Sequence, residues 1–228
     1  MTTTTNTVRV AVDGAELTGD VTLPERPFGM IIFAHGSGSS RHSPRNRMVA
    51  ATLNRAGLAT LLMDLLTGQE ERLDAETGHL RFDIGLLARR LAGAVDWAAK
   101  WAAQGERELG GTGFGLFGAS TGAAAALVAA AERPERIRCV VSRGGRPDLA
   151  GDALGKVRAP ALLIVGGRDS QVLALNESAA PRLGGPNRIV TVPGATHLFE
   201  EPGALDQVAS LAADWFSRYL RPAPAHRG

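Results

Sequence analysis

Short apolar segments alternate with longer segments of helical spacing along most of this chain, and that alternation constrains the fold more than any other feature. The apolar segments lie at 30–34, 59–63, 113–117, 137–142, 161–165 and 188–192. Strands that are apolar throughout and separated by helices form parallel sheets that are covered on both faces. We therefore predict an α/β protein with a mostly parallel central sheet and helices on both faces.

The first residues predict an antiparallel hairpin at one edge of that sheet. Residues 8–12 and 16–23 have strand character, and Asp13-Gly14 between them is a strong hairpin signal. The polar residues 1–6 and the residues 222–228 are expected to be loose ends. With 228 residues the chain can bury one sizeable core, so we predict a single domain over residues 1–228.

Local signals place the helices between the strands. Ser43-Pro44 predicts the start of a helix that ends at Gly57. Apolar residues from Leu80 to Ala98 have the spacing of a long amphipathic helix, and further helices are predicted near 123–131 and 205–220. The acidic segment 67–78 is expected to be a solvated loop with some helix; a role facing the substrate is the alternative.

Composition and charge exclude several classes of protein. The 25 Lys and Arg residues nearly balance the 23 Asp and Glu residues, and no long basic stretch indicates a nucleic-acid partner. The single cysteine, Cys139, excludes a disulfide scaffold and is expected to be a buried core residue. Neither a membrane span nor a secretory signal is recognisable, so we expect a cytoplasmic protein with no membrane partner, either a monomer or a homodimer.

The segment Gly118-Ala119-Ser120-Thr121-Gly122 carries the strongest chemical signal. It follows an apolar strand and precedes a helix, which is the context that the G-x-S-x-G motif requires. The two glycines leave room for a tight turn, and the helix N-terminus brings N–H groups and a positive dipole end beside the hydroxyl. We predict that Ser120 is a nucleophile; the alternative is a glycine-rich turn whose serine only caps the helix. An overlapping G-x-G-x-x-G at 113–118 fills the strand itself, which disfavours dinucleotide binding.

A serine nucleophile needs a base and an acid that orients the base. His197 follows the last predicted strand, at the sheet edge where Ser120 is expected, and is predicted to be the base. Asp169 follows the preceding strand and is predicted to hold the imidazole in the correct tautomer. Asp148, which follows the strand before that, is the alternative acid.

The loop after the strand at 30–34 reads His35-Gly36-Ser37-Gly38-Ser39-Ser40, and its small residues allow the backbone to approach a ligand closely. We predict an oxyanion hole with one donor from the Thr121 N–H and a second from the Ser37 N–H, with the Gly38 N–H as second choice. His35 is expected to shape this turn rather than to act as a base.

Basic residues follow two of the strands on this edge. Arg41, His42 and Arg143 are candidate substrate-binding residues, because a ring of positive charge at the mouth of the site attracts an anionic substrate. Arg45, Arg47 and Arg146 belong to the same two groups. The alternative is a solvated basic face.

The His35-Gly36 loop, the Ser120 turn, Asp169 and His197 occur in the order typical of the α/β-hydrolase superfamily, which the chain resembles. The strings 35–47, 120–127 and 165–169 and the lack of a large insertion resemble the dienelactone-hydrolase-like branch, although dienelactone hydrolase itself has a cysteine where this chain has Ser120.

The resemblance implies an α/β-hydrolase fold with little or no lid. It also implies a serine esterase that acts on small or short-chain acyl groups and needs neither a cofactor nor a metal. Serine acyltransferase or perhydrolase activity and dienelactone-type lactone hydrolysis are alternatives with the same triad. A non-catalytic binding module with this fold is a further alternative.

Overall fold

One eight-stranded sheet organises the residues that this computed structural model describes, 3–104 and 113–222. The strands are β1 (Thr3–Val12), β2 (Ala15–Pro24), β3 (Met30–Ala34), β4 (Ala59–Met63), β5 (Phe114–Ala119), β6 (Ile137–Arg143), β7 (Ala161–Gly166) and β8 (Asn187–Val192). The α-helices are α1 (Pro44–Arg55), α2 (Gly68–Thr77), α3 (Ile84–Gln104), α4 (Thr121–Glu132), α5 (Ser170–Ala179) and α6 (Ala204–Leu220). Shorter 3-10 helices cover Leu80–Phe82, Pro147–Lys156 and Ala180–Arg182.

The order of the strands explains where a site can form. Across the sheet they run β1-β2-β4-β3-β5-β6-β7-β8. The β1–β2 and β2–β4 pairs are antiparallel and the other pairs are parallel, which confirms the predicted sheet and its hairpin. Since β4 lies on one side of β3 and β5 on the other, the topology switches direction at β3. The loops after β3 and β5 therefore leave the sheet side by side, at the place where open α/β sheets bind ligands.

Two apolar cores lie on opposite faces of the sheet. Ile32 and Ala34 of β3 belong to the core covered by α3 and α4, whereas Ile31 and Phe33 belong to the core covered by α1 and α6. This alternation follows from the period of two along a strand, and it confirms the prediction of helices on both faces. Cys139 is fully buried in the second core, as predicted.

The first strand begins earlier than predicted. Thr3–Asn6 pair with β2 in the same register as the rest of β1, from Thr3 opposite Pro24 onward. The expectation of a loose end is therefore wrong for these residues, because β-branched threonines favour an exposed edge strand even without an apolar pattern. The Thr5 and Thr22 hydroxyls form a cross-strand hydrogen bond of 3.0 Å. Residues 1–2 and 223–228, which belong to the predicted loose ends, lie outside the described residues.

Local capping decides how several helices begin. As predicted, Ser43 caps α1: its hydroxyl accepts the Asn46 N–H at 3.3 Å. The predicted loop at 67–78 is mostly the helix α2, which a capping box between Thr67 and Glu70 starts and the left-handed Gly78 ends. No helix within the described ranges has the length and apolar character needed to cross a membrane.

Candidate active site

Ser120 lies in a strained turn between β5 and α4. Its φ of 51° and ψ of −120° are unfavourable for a residue with a side chain and cost about 1–3 kcal/mol. A Cβ on Gly118 would lie 2.4 Å from the Ala123 Cα, and one on Gly122 would lie 2.3 Å from the Ala34 carbonyl oxygen. Both positions therefore need glycine. The Ser120 side chain makes no capping hydrogen bond to α4 in the described structure, so the interpretation as a simple helix cap is not supported.

Asp169 and His197 meet beyond the ends of β7 and β8. The His197 Nδ1–H donates to Asp169 Oδ2 over 2.7 Å. The Asp169 side chain is 14% exposed and the His197 ring 40%, so the carboxylate is shielded while the ring remains open to the site. Asp148 instead forms a two-pronged ion pair with Arg146 at 2.8 and 2.7 Å. The structure thus brings together Asp169 and His197, the acid and base preferred from the sequence. The alternative acid, Asp148, is bound to Arg146 instead.

The turn after β6 lies against both Ser120 and His197. The Ser120 N–H donates to the Arg143 carbonyl at 3.1 Å, and the Arg146 N–H donates to the Ser120 carbonyl at 3.2 Å. Between them, Gly144 has a φ of 52°, and a Cβ there would lie 3.4 Å from His197 Nδ1 and Cε1. The serine turn and the imidazole therefore share one short segment as a neighbour.

The loop after β3 packs directly onto the serine turn. A Cβ on Gly36 would lie 3.1 Å from the Ser120 Cβ. Thr121 is the first residue of α4, so its backbone N–H has no partner in the helical ladder. The Ser37 N–H, however, already donates to the Thr121 side-chain hydroxyl at 2.9 Å. Sequence reasoning missed this bond. It engages the Ser37 N–H, the preferred second donor of the predicted oxyanion hole, and leaves the Gly38 N–H as the simpler candidate.

His35 has the structural role predicted for it. The Nδ1–H donates to the Gly36 carbonyl at 3.0 Å, and Nε2 accepts the Leu65 N–H at 3.1 Å. Burial lowers the pKa of His35, and this effect outweighs the Gly36 bond and the charge of Asp64, which raise it. A neutral ring therefore uses both nitrogens to tie the glycine-rich loop to the segment after β4.

Two of the three candidate substrate-binding residues are engaged within the protein. The Arg41 backbone N–H and guanidinium both bind Asp64, and the guanidinium also lies 3.6 Å from an Asp20 oxygen. His42 Nδ1 accepts a hydrogen bond of 2.7 Å from Arg47. Arg41 therefore has acidic partners within the protein and does not present the free positive charge that its role as an anion-binding residue assumed.

Arg143, the third candidate, is only 7% exposed and has no such partner in the described structure.

A cavity of about 630 Å³ adjoins the glycine-rich loop. Residues 35–40 form one wall, and Glu71, Asp74 and Ala75 of α2 form another, so the acidic segment faces the glycine-rich loop across this cavity. Arg45 and Arg81 also line this cavity. Across residues 3–104 and 113–222, no three His, Cys, Asp or Glu side chains cluster as metal ligands.

A strained serine turn that opens a helix at the edge of a mostly parallel sheet defines the class of α/β hydrolases. Comparison with known families agrees, since the family model described as alpha/beta hydrolase fold matches residues 29–185. The chain belongs to this family.

Solved structures narrow the resemblance to one branch. The chain is similar to a dienelactone hydrolase from Anabaena variabilis, with 57% identity, a TM-score of 0.91 and coverage of 96% of this chain and 99% of that chain. It shares the fold of Est1E from Butyrivibrio proteoclasticus, with a TM-score of 0.74 at 18% identity and coverage of 93% and 98%. The protein is thus a dienelactone-hydrolase-like member of the family, as the sequence resemblance implies.

Curated relatives are longer than this chain. Proteins from two strains of Mycobacterium tuberculosis, both named "Putative phosphoribosyl transferase", are 56% identical over 213 residues. The match covers 93% of this chain but 46% of those proteins, so the chain spans about half their length.

Proposed function

We propose that this chain hydrolyses carboxylic esters of small acyl groups through an acyl-enzyme on Ser120. The observation that carries the proposal is the 2.7 Å hydrogen bond from His197 to Asp169, beside the turn after β6 that also contacts the Ser120 backbone. Such a pair activates a serine by accepting its proton.

Acylation begins when the Ser120 oxygen attacks the ester carbonyl carbon and its proton moves to His197 Nε2. Asp169 accepts the Nδ1–H and stabilises the imidazolium that forms. The carbonyl electron pair moves to oxygen, where the Thr121 N–H and a second N–H from Ser37 or Gly38 bind it. The bond to the alcohol oxygen then breaks, and His197 protonates the leaving alcohol.

Deacylation repeats these steps with water. His197 Nε2 removes a proton from a water molecule that attacks the acyl carbon, and the proton returns to the Ser120 oxygen as the acid leaves. The 40% exposure of the His197 side chain supports this step, because water can reach the ring. The fixed bond from Nδ1 to Asp169 keeps Nε2 as the nitrogen that exchanges protons.

The character of the cavity supports short and polar substrates. Its walls carry the hydroxyls of Ser37, Ser39 and Ser40 and the side chains of His42 and Arg45. A long hydrocarbon chain would remove water from these polar groups without replacing their hydrogen bonds. We do not extend phosphoribosyl transfer, the activity in the name of the longer relatives, to this chain, since the contacts around Ser120 suit acyl chemistry.

A fluorophosphonate probe with peptide mapping tests the proposal, together with hydrolysis of p-nitrophenyl acetate and butyrate. We expect labelling at Ser120, and a loss of roughly 10³–10⁴-fold in kcat for Asp169→Asn. Ser120→Ala should abolish labelling, whereas Ser210→Ala, on the exposed side of α6, should leave labelling and activity unchanged. Labelling of another serine, or full activity in Ser120→Ala, would refute the proposal.

Product analysis with competing alcohols and peroxide separates hydrolysis from acyl transfer. We expect the free acid as the main product. A transferred ester or a peracid as the main product would assign the same machinery to acyltransferase or perhydrolase activity instead.

A further inference from the structure

Arg143 places a buried cation beside the proposed catalytic residues. It is the last residue of β6, and its carbonyl accepts the Ser120 N–H. The next residue, Gly144, contacts the His197 ring. Only 7% of Arg143 is exposed, so its side chain is buried within a few ångströms of backbone that supports both groups.

The guanidinium of Arg143 lacks the partners that a buried arginine normally has. Within the described part of the chain, Nε and Nη1 are shielded from solvent and meet no hydrogen-bond acceptor. Arg41 and Arg45 also have a buried Nε without a hydrogen bond, but each of them has an acidic partner, which Arg143 lacks in the described structure. The ion pairs nearby are Arg41 with Asp64, Arg47 with Asp20, Arg146 with Asp148 and Arg45 with Glu200. A buried charge without a counter-charge is costly, so this arrangement is incomplete as it stands.

The surroundings of Arg143 add positive potential instead of cancelling it. Burial and, after it, the nearby charge of Arg45 together lower the pKa of Arg143 to about 10. Arg45 lies in the first turn of α1, which has no acidic residue, so the positive end of that helix faces the same region. Glu200 binds one nitrogen of Arg45 at 3.1 Å, but its own side chain is 65% exposed. Asp169 is already bound to His197.

We propose that Arg143, with Arg45 beside it, binds an oxyanion group, either a carboxylate or a phosphate, that the ester substrate carries. Such a group supplies the paired acceptors that a planar guanidinium binds best, and it balances the two cations. Arg45 lines the cavity next to the glycine-rich loop, and Gly36 of that loop packs against Ser120, so the anion has access to Arg45 from this cavity. The inference rests on the proposed function, because it places the anion on the molecule that Ser120 attacks.

Three methyl esters that differ in one terminal group test this specificity. Methyl butyrate, monomethyl succinate and methyl 3-phosphonopropanoate end in a methyl, a carboxylate and a phosphonate group at the same distance from the ester. We expect kcat/KM to be at least about tenfold higher for an anionic ester than for the neutral one. Arg143→Met should lower the ratio of the anionic to the neutral kcat/KM by roughly 10–100-fold, mainly through the KM of the anionic ester.

The matched control is Arg138→Met, which removes an exposed arginine from the same strand and should alter none of the three rates. Whichever of the two anionic esters, the carboxylate or the phosphonate, loses more kcat/KM in Arg143→Met carries the preferred anion. Equal kcat/KM for all three esters in the wild-type protein would overturn the inference. So would an equal loss for all three esters in Arg143→Met, because that pattern describes a structural role.

Direct binding separates this inference from the proposed function. If the wild-type protein hydrolyses none of the esters, the proposed function fails, but succinate and inorganic phosphate still report on Arg143. A rise in Tm with either anion that is lost in Arg143→Met and kept in Arg138→Met supports the site. Equal shifts in all three proteins, or none in any, overturn it.

Discussion

Replacing Arg143 with methionine should make the free protein more stable. The side chain is 7% exposed, and burial followed by the charge of Arg45 lowers its pKa from 12.5 to about 10. A lowered pKa means that the folded state disfavours the charged form, so at pH 7 the guanidinium destabilises the fold. Each pKa unit corresponds to about 1.4 kcal/mol, so the difference between 12.5 and about 10 sets an upper bound of about 3.5 kcal/mol on this destabilisation. The penalty is lost only above the folded pKa, where the folded protein gives up the proton of Arg143 before the unfolded chain does.

Methionine keeps much of the apolar packing of the arginine stem and removes the charge. We therefore expect Arg143→Met to raise the free energy of unfolding by about 1–3 kcal/mol at pH 7. For a domain of this size that is a rise in Tm of about 2–4 °C for each kcal/mol. Urea unfolding with linear extrapolation measures the change, and an unchanged m-value shows that the unfolded state is not altered.

Arg138→Met on the same strand is the control and should stay within about 0.5 kcal/mol of the wild-type protein, because Arg138 is exposed. A loss of more than about 1 kcal/mol in Arg143→Met relative to that control would refute the reasoning. It would mean that the guanidinium is already well solvated or paired in the folded protein.

Three further predictions follow from buried positions. Gly122→Ala should lower the free energy of unfolding by about 3 kcal/mol in urea, because its Cβ would lie 2.3 Å from a backbone oxygen. Since burial lowers the pKa of His35, only the unfolded chain gains its proton below about pH 6.5. Stability should therefore fall from pH 7 to pH 5, and His35→Gln should make that slope shallower. Burial raises the pKa of the Cys139 thiol, so a disulfide reagent should react with it only after unfolding.

Each of these predictions has a control. Gly68→Ala, with open space around its Cβ, should cost nothing or stabilise by up to about 1 kcal/mol. A similar effect for Gly122→Ala would contradict the steric argument. The exposed His79→Gln should leave the pH slope unchanged, and an unchanged slope in His35→Gln would show that the buried ring does not cause it. Rapid modification of Cys139 in native buffer would mean that its core opens readily.

The sheet was predictable because strands buried on both faces have a local signature. Each parallel strand of β3 to β7 is an apolar run, and such runs stand out from the amphipathic helices between them. The early start of β1 was missed, since an exposed edge strand such as Thr3–Asn6 needs no apolar residues. The helix α2 was underestimated, although the Thr67–Glu70 capping box was visible in the sequence.

Some features of the candidate site also follow from local sequence, whereas others depend on contacts between distant residues. The turn at Ser120 follows from steric needs within five residues, so its glycines are readable from the sequence. The position of Asp169 and His197 follows from the rule that strand ends meet at one edge. The bond from Ser37 to Thr121 joins residues 84 positions apart, and no local pattern indicates it.

Distant contacts also decide which arginine stays unpaired. Arg41 forms an ion pair with Asp64, 23 residues away, whereas Arg143 has no acidic partner in the described structure. Both residues follow strands and both are basic, so the sequence treats them alike. Only the folded arrangement of the acids separates them.

The hydroxyl of Thr121 has a consequence for selectivity between neutral and charged oxygens. In the free protein it accepts the Ser37 N–H at 2.9 Å, so a substrate oxygen that uses this donor must first displace it. An uncharged ester carbonyl is a weak competitor for an amide already bound to a hydroxyl. An alkoxide-like oxygen forms a hydrogen bond roughly twice as strong and wins the exchange. In the proposed mechanism, with Ser37 as the second oxyanion donor, this exchange reserves the binding energy of the amide for the transition state.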